Sequence, residues 1–183
     1  MSEGRGRMLA EPEAAALLGE YGIAYPAHAY VQSADEAAEA ANLIGYPVVL
    51  KVVSPDAIHK SDMGGVALGI EDAAGVALAY EGIVRSVRGH AAEAEIPGML
   101  VCQQAPPGLE VIVGGLQYLM FGPSLMFGLG GIFAEVLEDV TFRIVPIERA
   151  DALEMIQEIR GYRLLAGTRG HQGYDLEALI DLL

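Results

Sequence analysis

IGYPVVLKVVSPDAIHKSDMGGVALGI, residues 44–70, opens on a glycine and a proline and then runs almost without interruption through apolar residues. Pro47 to Val53 has the make-up of a buried strand, with one charged residue, Lys51, inside it. Val66 to Ile70 is a second strand, and the residues between form a loop ending in Gly64-Gly65. Burying the Lys51 ammonium costs several kcal/mol unless a counter-charge or a bound anion meets it. Two readings of Lys51 stand: a structural ion pair with one of the chain's many carboxylates, or an anion ligand at the mouth of a cleft. In the loop, the glycine pair lets backbone N–H groups approach a phosphate with no Cβ in the way. Lys60 can add charge there and Ser61 a hydroxyl. His59 is the side chain able to accept and return a phosphoryl group near neutral pH, because imidazole is a competent nucleophile. A solvated or hydrogen-bonded loop histidine is the other reading.

Upstream, Glu11 to Tyr21 reads as an amphipathic helix stopped by Gly22, and Tyr25 to Val31 as a strand. Ser33 with Glu36 makes a capping box for a helix whose apolar face is Ala37, Ala40, Ala41 and Ile44. Ala73 to Ala91 is a third helix, so the first half alternates helix and strand. The second half is β-rich: Met99–Gln104, Leu109–Leu116, Ser124–Gly128, Phe133–Leu137 and Phe142–Val145 read as short antiparallel strands between Gly/Pro turns. Arg149 to Tyr162 is a helix and Asp175 to Leu183 begins another. Ile96-Pro97-Gly98 is the expected division between two lobes, and residues 1–8 read as a frayed tail.

A second glycine-rich segment, FGPSLMFGLGGIFAE, spans residues 121–135. Gly128, Gly130 and Gly131 make either a tight hairpin or a backbone wall beneath a nucleotide. Glu135, Asp139 and Arg143 follow it. Carboxylates beside a phosphate site hold Mg2+, and an arginine neutralises a transferred group. Continuous strand parity would put Asp139 and Arg143 on similar faces. Glu110, opening the strand Val111-Ile112-Val113, is either a ribose acceptor or a solvated strand end. Gln103-Gln104 either meets an adenine ring or turns in solvent. There is no G-x-x-x-x-G-K-[ST] phosphate loop, no G-x-G-x-x-G at the start of a βαβ unit and no G-x-S-x-G elbow.

Composition narrows the choice further. Of 183 residues 52% are hydrophobic and 20% charged, which supports a real core. Glycine contributes 23 residues, about 13% against an average near 7%, so glycine loops are over-represented. With 11 basic and 25 acidic residues the formal charge is −14, which disfavours nucleic-acid binding. Phosphate handling would have to come from a few placed cations and backbone N–H groups. The single cysteine, Cys102, reads as a buried strand thiol and suits a reducing cytoplasm. No signal peptide and no apolar run long enough to span a bilayer is expected.

Four stretches together resemble the ATP-grasp domain of ADP-forming (NDP-forming) acyl-CoA synthetases, that is, the β subunit of acetate–CoA ligase. They are residues 44–70, GLEVIVGG at 108–115, FGPSLMFGLGGIFAEVLEDVTFRIVPI at 121–147 and LLAGTRGHQGYDLEALIDLL at 164–183. The resemblance implies an α+β ATP-grasp fold, with an N-terminal lobe at 9–97, a C-terminal lobe at 98–183 and ATP or ADP held between them. It makes Lys51 a phosphate ligand and puts Lys60, Ser61, Gly64 and Gly65 in a phosphate-covering loop. His59 becomes the histidine phosphorylated during relay. Gln103 and Gln104 meet adenine and Glu110 lies in the ribose region; Arg143, read above from its chemistry, is a further candidate nucleotide ligand. The implied chemistry is a cytoplasmic ligase reaction, acyl-CoA + ADP + phosphate ⇌ acid + CoA + ATP, dependent on Mg2+ and on a CoA-binding α subunit or domain.

Three departures stand out. Gln103-Gln104 replaces an acidic hinge, Leu116 to Met120 is an apolar hairpin where relatives are polar, and the sequence stops at Leu183 before the family's last metal-binding strands. Glu135 and Asp139 are the remaining metal candidates. The alternative function is a non-catalytic module of the same fold that docks a CoA-binding partner through Leu116–Met120.

Overall fold

The computed structural model describes residues 8–55, 62–167, 170 and 172–183. They fall into two compact units, Met1–Pro106 and Pro107–Leu183.

In the first unit the elements are α1 (Glu11–Glu20), β1 (His28–Val31), α2 (Ala34–Ile44), β2 (Val48–Val53), β3 (Val66–Ile70), α3 (Ala73–His90) and β4 (Gly98–Gln103). The strands form one antiparallel-paired sheet in the order β1-β4-β2-β3. Side chains alternate across a strand, so Val48, Leu50 and Val52 share one face of β2. There they join Val31, Ile70, Met99 and Val101 in a core closed by Ala37, Ala40 and Ala41 of α2 and by Val76, Ile83 and Val87 of α3. Val49, Leu100 and Cys102 are also buried, although they lie outside that cluster. Burial on both faces explains why the run reads as continuously apolar.

The helix ends follow local chemistry. Ser33 Oγ accepts the Glu36 N–H at 3.2 Å, and Glu36 in turn accepts the Gln32 N–H at 2.8 Å. Asp72 caps α3 through the Gly75 N–H at 2.7 Å. β3 carries a bulge opposite Val48–Leu50, with Gly69 in the left-handed region at φ +67°.

The second unit contains β5 (Val111–Tyr118), β6 (Gly122–Leu129), α4 (Ile132–Leu137), β7 (Val140–Ile144), α5 (Arg149–Glu158), α6 (Tyr162–Ala166) and α7 (Leu176–Leu182). β5-β6-β7 form an antiparallel sheet. Phe127 and Leu129 bury against Ala152, Met155 and Ile156 of α5, with Ile159, Leu165 and Ile180 completing the core.

Three differences from the sequence expectations have clear causes. The units divide after Pro106 rather than at 97–98, because β4 is an inner strand of the first sheet, paired to both β1 and β2. Phe133–Leu137 is helical rather than a strand. Both edges of β6 are already paired, and Gly131, at φ +56°, turns the chain off the sheet into α4. The helix expected over 149–162 breaks at Ile159, whose backbone is extended (φ −64°, ψ 141°).

Gly98 shows how tight the first sheet is. A Cβ there would come within 2.5 Å of the Val31 carbonyl oxygen and 2.6 Å of the Tyr30 ring. The backbone atom cannot yield, so Gly98→Ala should cost about 1–3 kcal/mol. Urea unfolding should show a lower midpoint at unchanged slope.

Candidate functional site

Lys51 lies on the face of β2 opposite Val48, Leu50 and Val52 and is half-buried. Its ammonium donates to Glu11 Oε1 at 2.6 Å. Glu11 is the first residue of α1, and the same carboxylate oxygen accepts the Tyr25 hydroxyl at 2.5 Å. Tyr25 is set against His28, ring edge to face at 4.9 Å. Burial first, and then the hydrogen bond to Glu11, push the Tyr25 phenol well above the ordinary tyrosine range. Lys51 therefore has the counter-charge that its buried strand requires, and the carboxylate supplying it is Glu11. With side chains 29% and 23% exposed, both partners remain open to solvent on one side. The spacing of forty residues gives no local signal, so sequence alone did not single out Glu11 or Tyr25.

Gly64 sits at φ +63°, and a Cβ on it would meet Ser86 Oγ at 2.4 Å. Ser86 Oγ donates to the Met63 carbonyl at 3.0 Å, and the Val52 N–H donates to the Gly65 carbonyl at 2.8 Å. Both glycines are thus tied to the scaffold, one against α3 and the other alongside β2. His59, Lys60 and Ser61 lie outside the described residues.

At the end of β4, Gln104 turns its side chain back onto the bulge of β3. Its Oε1 accepts the Gly69 N–H at 2.6 Å, while its own N–H donates to the Pro47 carbonyl at 3.1 Å. The Gln103 side chain is exposed. These two amides end the strand beside β2 on the same unit that carries Lys51.

On the second unit Glu110 and the glycines 130–131 form one place. The Gly130 N–H donates to the Glu110 carbonyl at 2.8 Å. A Cβ on Gly131 would come within 2.9 Å of Glu110 Oε2. The glycines admit the Glu110 backbone and side chain, a pairing that the sequence left separate.

Asp139 and Arg143 share a side, as unbroken strand parity requires, but the structure employs them on the helices. Asp139 is buried and accepts the N–H groups of Arg160 and Gly161 at 2.8 and 2.7 Å, closing the break between α5 and α6. Arg143 donates to Glu158 at 2.7 Å and lies 3.6 Å from Glu154, both on α5. Glu158 raises the Arg143 pKa further above its ordinary value, and Arg143 lowers that of Glu158. Both residues thus also serve the helices, Asp139 at the α5–α6 break and Arg143 on α5. Glu135 falls in α4, the helix that replaces the expected strand. Among the described residues no group of three or more His, Cys, Asp or Glu could hold a metal ion, so these residues do not by themselves form a Mg2+ cage. No described helix is long and apolar enough to cross a membrane.

Comparison with known proteins follows the same lines. A family model described as an ATP-grasp domain matches residues 1–183. The β subunit of acetate–CoA ligase (ADP-forming) I of Pyrococcus furiosus is 44% identical over 182 residues, covering 100% of this chain and 78% of that protein. Acetate–CoA ligase (ADP-forming) I of Archaeoglobus fulgidus is 45% identical over 181 residues, which are 99% of this chain and 26% of that protein. Among solved structures, acetyl-coenzyme A synthetase 1 of Ca. Korarchaeum cryptofilum in complex with coenzyme A and Ca-AMPCP matches with a TM-score of 0.92 and 44% identity, over 96% of this chain and 76% of that one. Another structure of that enzyme, with coenzyme A and Mg-AMPPCP, is described as having its phosphohistidine segment pointing towards the nucleotide-binding site. It matches with a TM-score of 0.79 and 41% identity, over 93% of this chain and 73% of that one.

Tyr25 supplies a pH test of the cluster. Its folded pKa lies above the unfolded value of about 10. The stability it contributes is therefore complete below about pH 10 and is lost as pH rises beyond it. Wild type should lose more stability than Tyr25→Phe between about pH 9 and 11 when followed by urea unfolding. Parallel curves would remove the buried phenol from the account.

Proposed function

The chain belongs to the ATP-grasp family, among the β subunits of ADP-forming acetate–CoA ligases, and from that premise we propose that it binds ATP and ADP and relays phosphate through His59. The observation that carries this reading is 44% identity, over the entire chain, to subunits named for that reaction. The proteins compared above are all named as ligases or synthetases, which favours catalysis over a docking module.

Lys51 and Lys60 neutralise nucleotide phosphates, Ser61 offers them its hydroxyl, and Gly64-Gly65 closes the loop. Gln103 and Gln104 approach adenine. Because Gln104 Oε1 is held by Gly69, its amide N–H groups are the atoms it has left to offer. Glu110 accepts ribose hydroxyls. Arg143 would have to exchange its pairing with Glu158 to reach a phosphate, as Lys51 would its pairing with Glu11; Asp139 is engaged at the α5–α6 break.

In the direction of nucleotide consumption, a ring nitrogen of His59 attacks the γ-phosphorus. The bond from that phosphorus to the β-phosphate oxygen breaks, ADP leaves with the electron pair, and the imidazole gives its proton to water. The reverse step makes ATP. Such transfer depends on positioning and charge neutralisation more than on covalent catalysis. Mg2+ enters as the counter-ion of the nucleotide substrate, as the Mg-AMPPCP in the Korarchaeum enzyme illustrates.

The acid and CoA steps fall to a partner subunit or domain. The Archaeoglobus ligase has room for such a domain on one chain, since the present chain covers 26% of it. The exposed side chains of Leu116, Tyr118, Leu119 and Met120 offer that partner an apolar contact.

Two linked measurements test the reading. Mg-ATP or ADP should raise the melting temperature, by an amount equivalent to about 2.7 kcal/mol at a hundred times Kd. With γ-labelled ATP the wild-type chain should take up label that survives alkali and is lost in acid, as a phosphoramidate does, and His59→Ala should take up none while still binding ADP. Label on the His59→Ala chain would remove His59 from the relay.

A further inference from the structure

A single oxygen, Glu11 Oε1, takes both the Lys51 ammonium at 2.6 Å and the Tyr25 hydroxyl at 2.5 Å. The contact is half-buried and lies on the side of β2 away from the α2–α3 core. We propose that Glu11 is the resident anion of Lys51, held in place by Tyr25, and that nucleotide phosphate competes with it for the ammonium. Glu11 then sets phosphate affinity. This rests on the reading above that Lys51 is a phosphate ligand.

Two opposed effects decide the sign. Glu11 orients the lysine, and losing that orientation would weaken binding. It also places a negative charge 2.6 Å from the cation that the phosphate needs. The second effect is the larger. A lysine is a compact charge on a flexible stem and reaches a phosphate without preset geometry. A carboxylate well inside one Debye length repels a polyphosphate with little screening, the more so where the pair is partly shielded from water. Tyr25 strengthens the competitor, because a carboxylate fixed by a short hydrogen bond cannot swing away without breaking it. An enzyme that must release ATP in one direction and ADP in the other gains from such a built-in rival, since it keeps both nucleotides from binding too tightly.

The test is calorimetric titration of the full chain with ADP and, separately, with adenosine, which lacks phosphate. Glu11→Gln should bind ADP about tenfold more tightly, with adenosine binding unchanged. Tyr25→Phe, which leaves the carboxylate present but less firmly held, should move ADP affinity the same way by a smaller factor. In the Lys51→Ala background Glu11→Gln should bring no gain, because the cation contested by the two anions is absent. If Glu11→Gln and Tyr25→Phe leave the ratio of ADP to adenosine affinity unchanged, Glu11 merely pins α1. If both weaken ADP selectively, Glu11 orients Lys51. Either result overturns the proposal. Should wild type bind no ADP, or Lys51→Ala bind it undiminished, the underlying assignment of Lys51 falls and this proposal with it. That failure is distinct, because it appears before Glu11 is altered.

Discussion

An ammonium on an inner strand of a sheet has to be paired, and in this molecule that requirement fixes more than one residue. β2 lies between β3 and β4 and contributes Val48, Leu50 and Val52 to the core. Lys51 interrupts that strand on its other side, where an unpaired charge would cost several kcal/mol. Glu11 meets it, and Glu11 is the first residue of α1. The helix start, the strand and the loop residue Tyr25 therefore share one electrostatic centre. A hydrophobe at position 51 would relieve the constraint and pack as well. A cation kept where an apolar side chain would serve the fold is what turns attention from stability to ligands.

The second unit uses the same chemistry to the opposite end. Its buried carboxylate, Asp139, closes a helix break by accepting two backbone N–H groups that would otherwise go unsatisfied. Its strand cation, Arg143, is matched by two carboxylates of α5. Arg143 is about as open to solvent as Lys51, with 24% of its side chain exposed against 29%, whereas Asp139 is buried. What separates the two cations is their setting: Arg143 is shared by two carboxylates of the helix it packs on, and Lys51 meets Glu11 across forty residues of sequence on an inner strand.

How much of this could be read in the sequence varied with the range of the interaction involved. α2 was legible because its signals are local: Ser33 three residues before Glu36, then alanines at helical spacing. β2 and β3 were legible from apolar runs bounded by turn residues. α4 was not, since IFAEVL has the composition of a strand, and only the prior pairing of both β6 edges decides against it. The division after Pro106 was hidden because β4 follows a Pro-Gly turn in the chain yet pairs back to β1 and β2. Lys51 could be identified as a residue in need of a partner, but the partner's identity is a tertiary fact. His59 stood out through chemistry and family resemblance and owed nothing to periodicity.

The glycines show the same limit from the other side. Their excess drew attention to phosphate loops, but Gly64 is required by the approach of Ser86, and Gly131 by that of Glu110. Packing alone accounts for both, so neither is evidence of a phosphate. What gives Gly64 a functional bearing is its place at the end of the segment that begins from β2 just past Lys51, with Gly65 hydrogen-bonded back to Val52. That bond ties Gly65 to the strand that carries the cation. The glycines therefore matter as fixings, one against α3 and the other beside β2, whether or not either ever touches a phosphate.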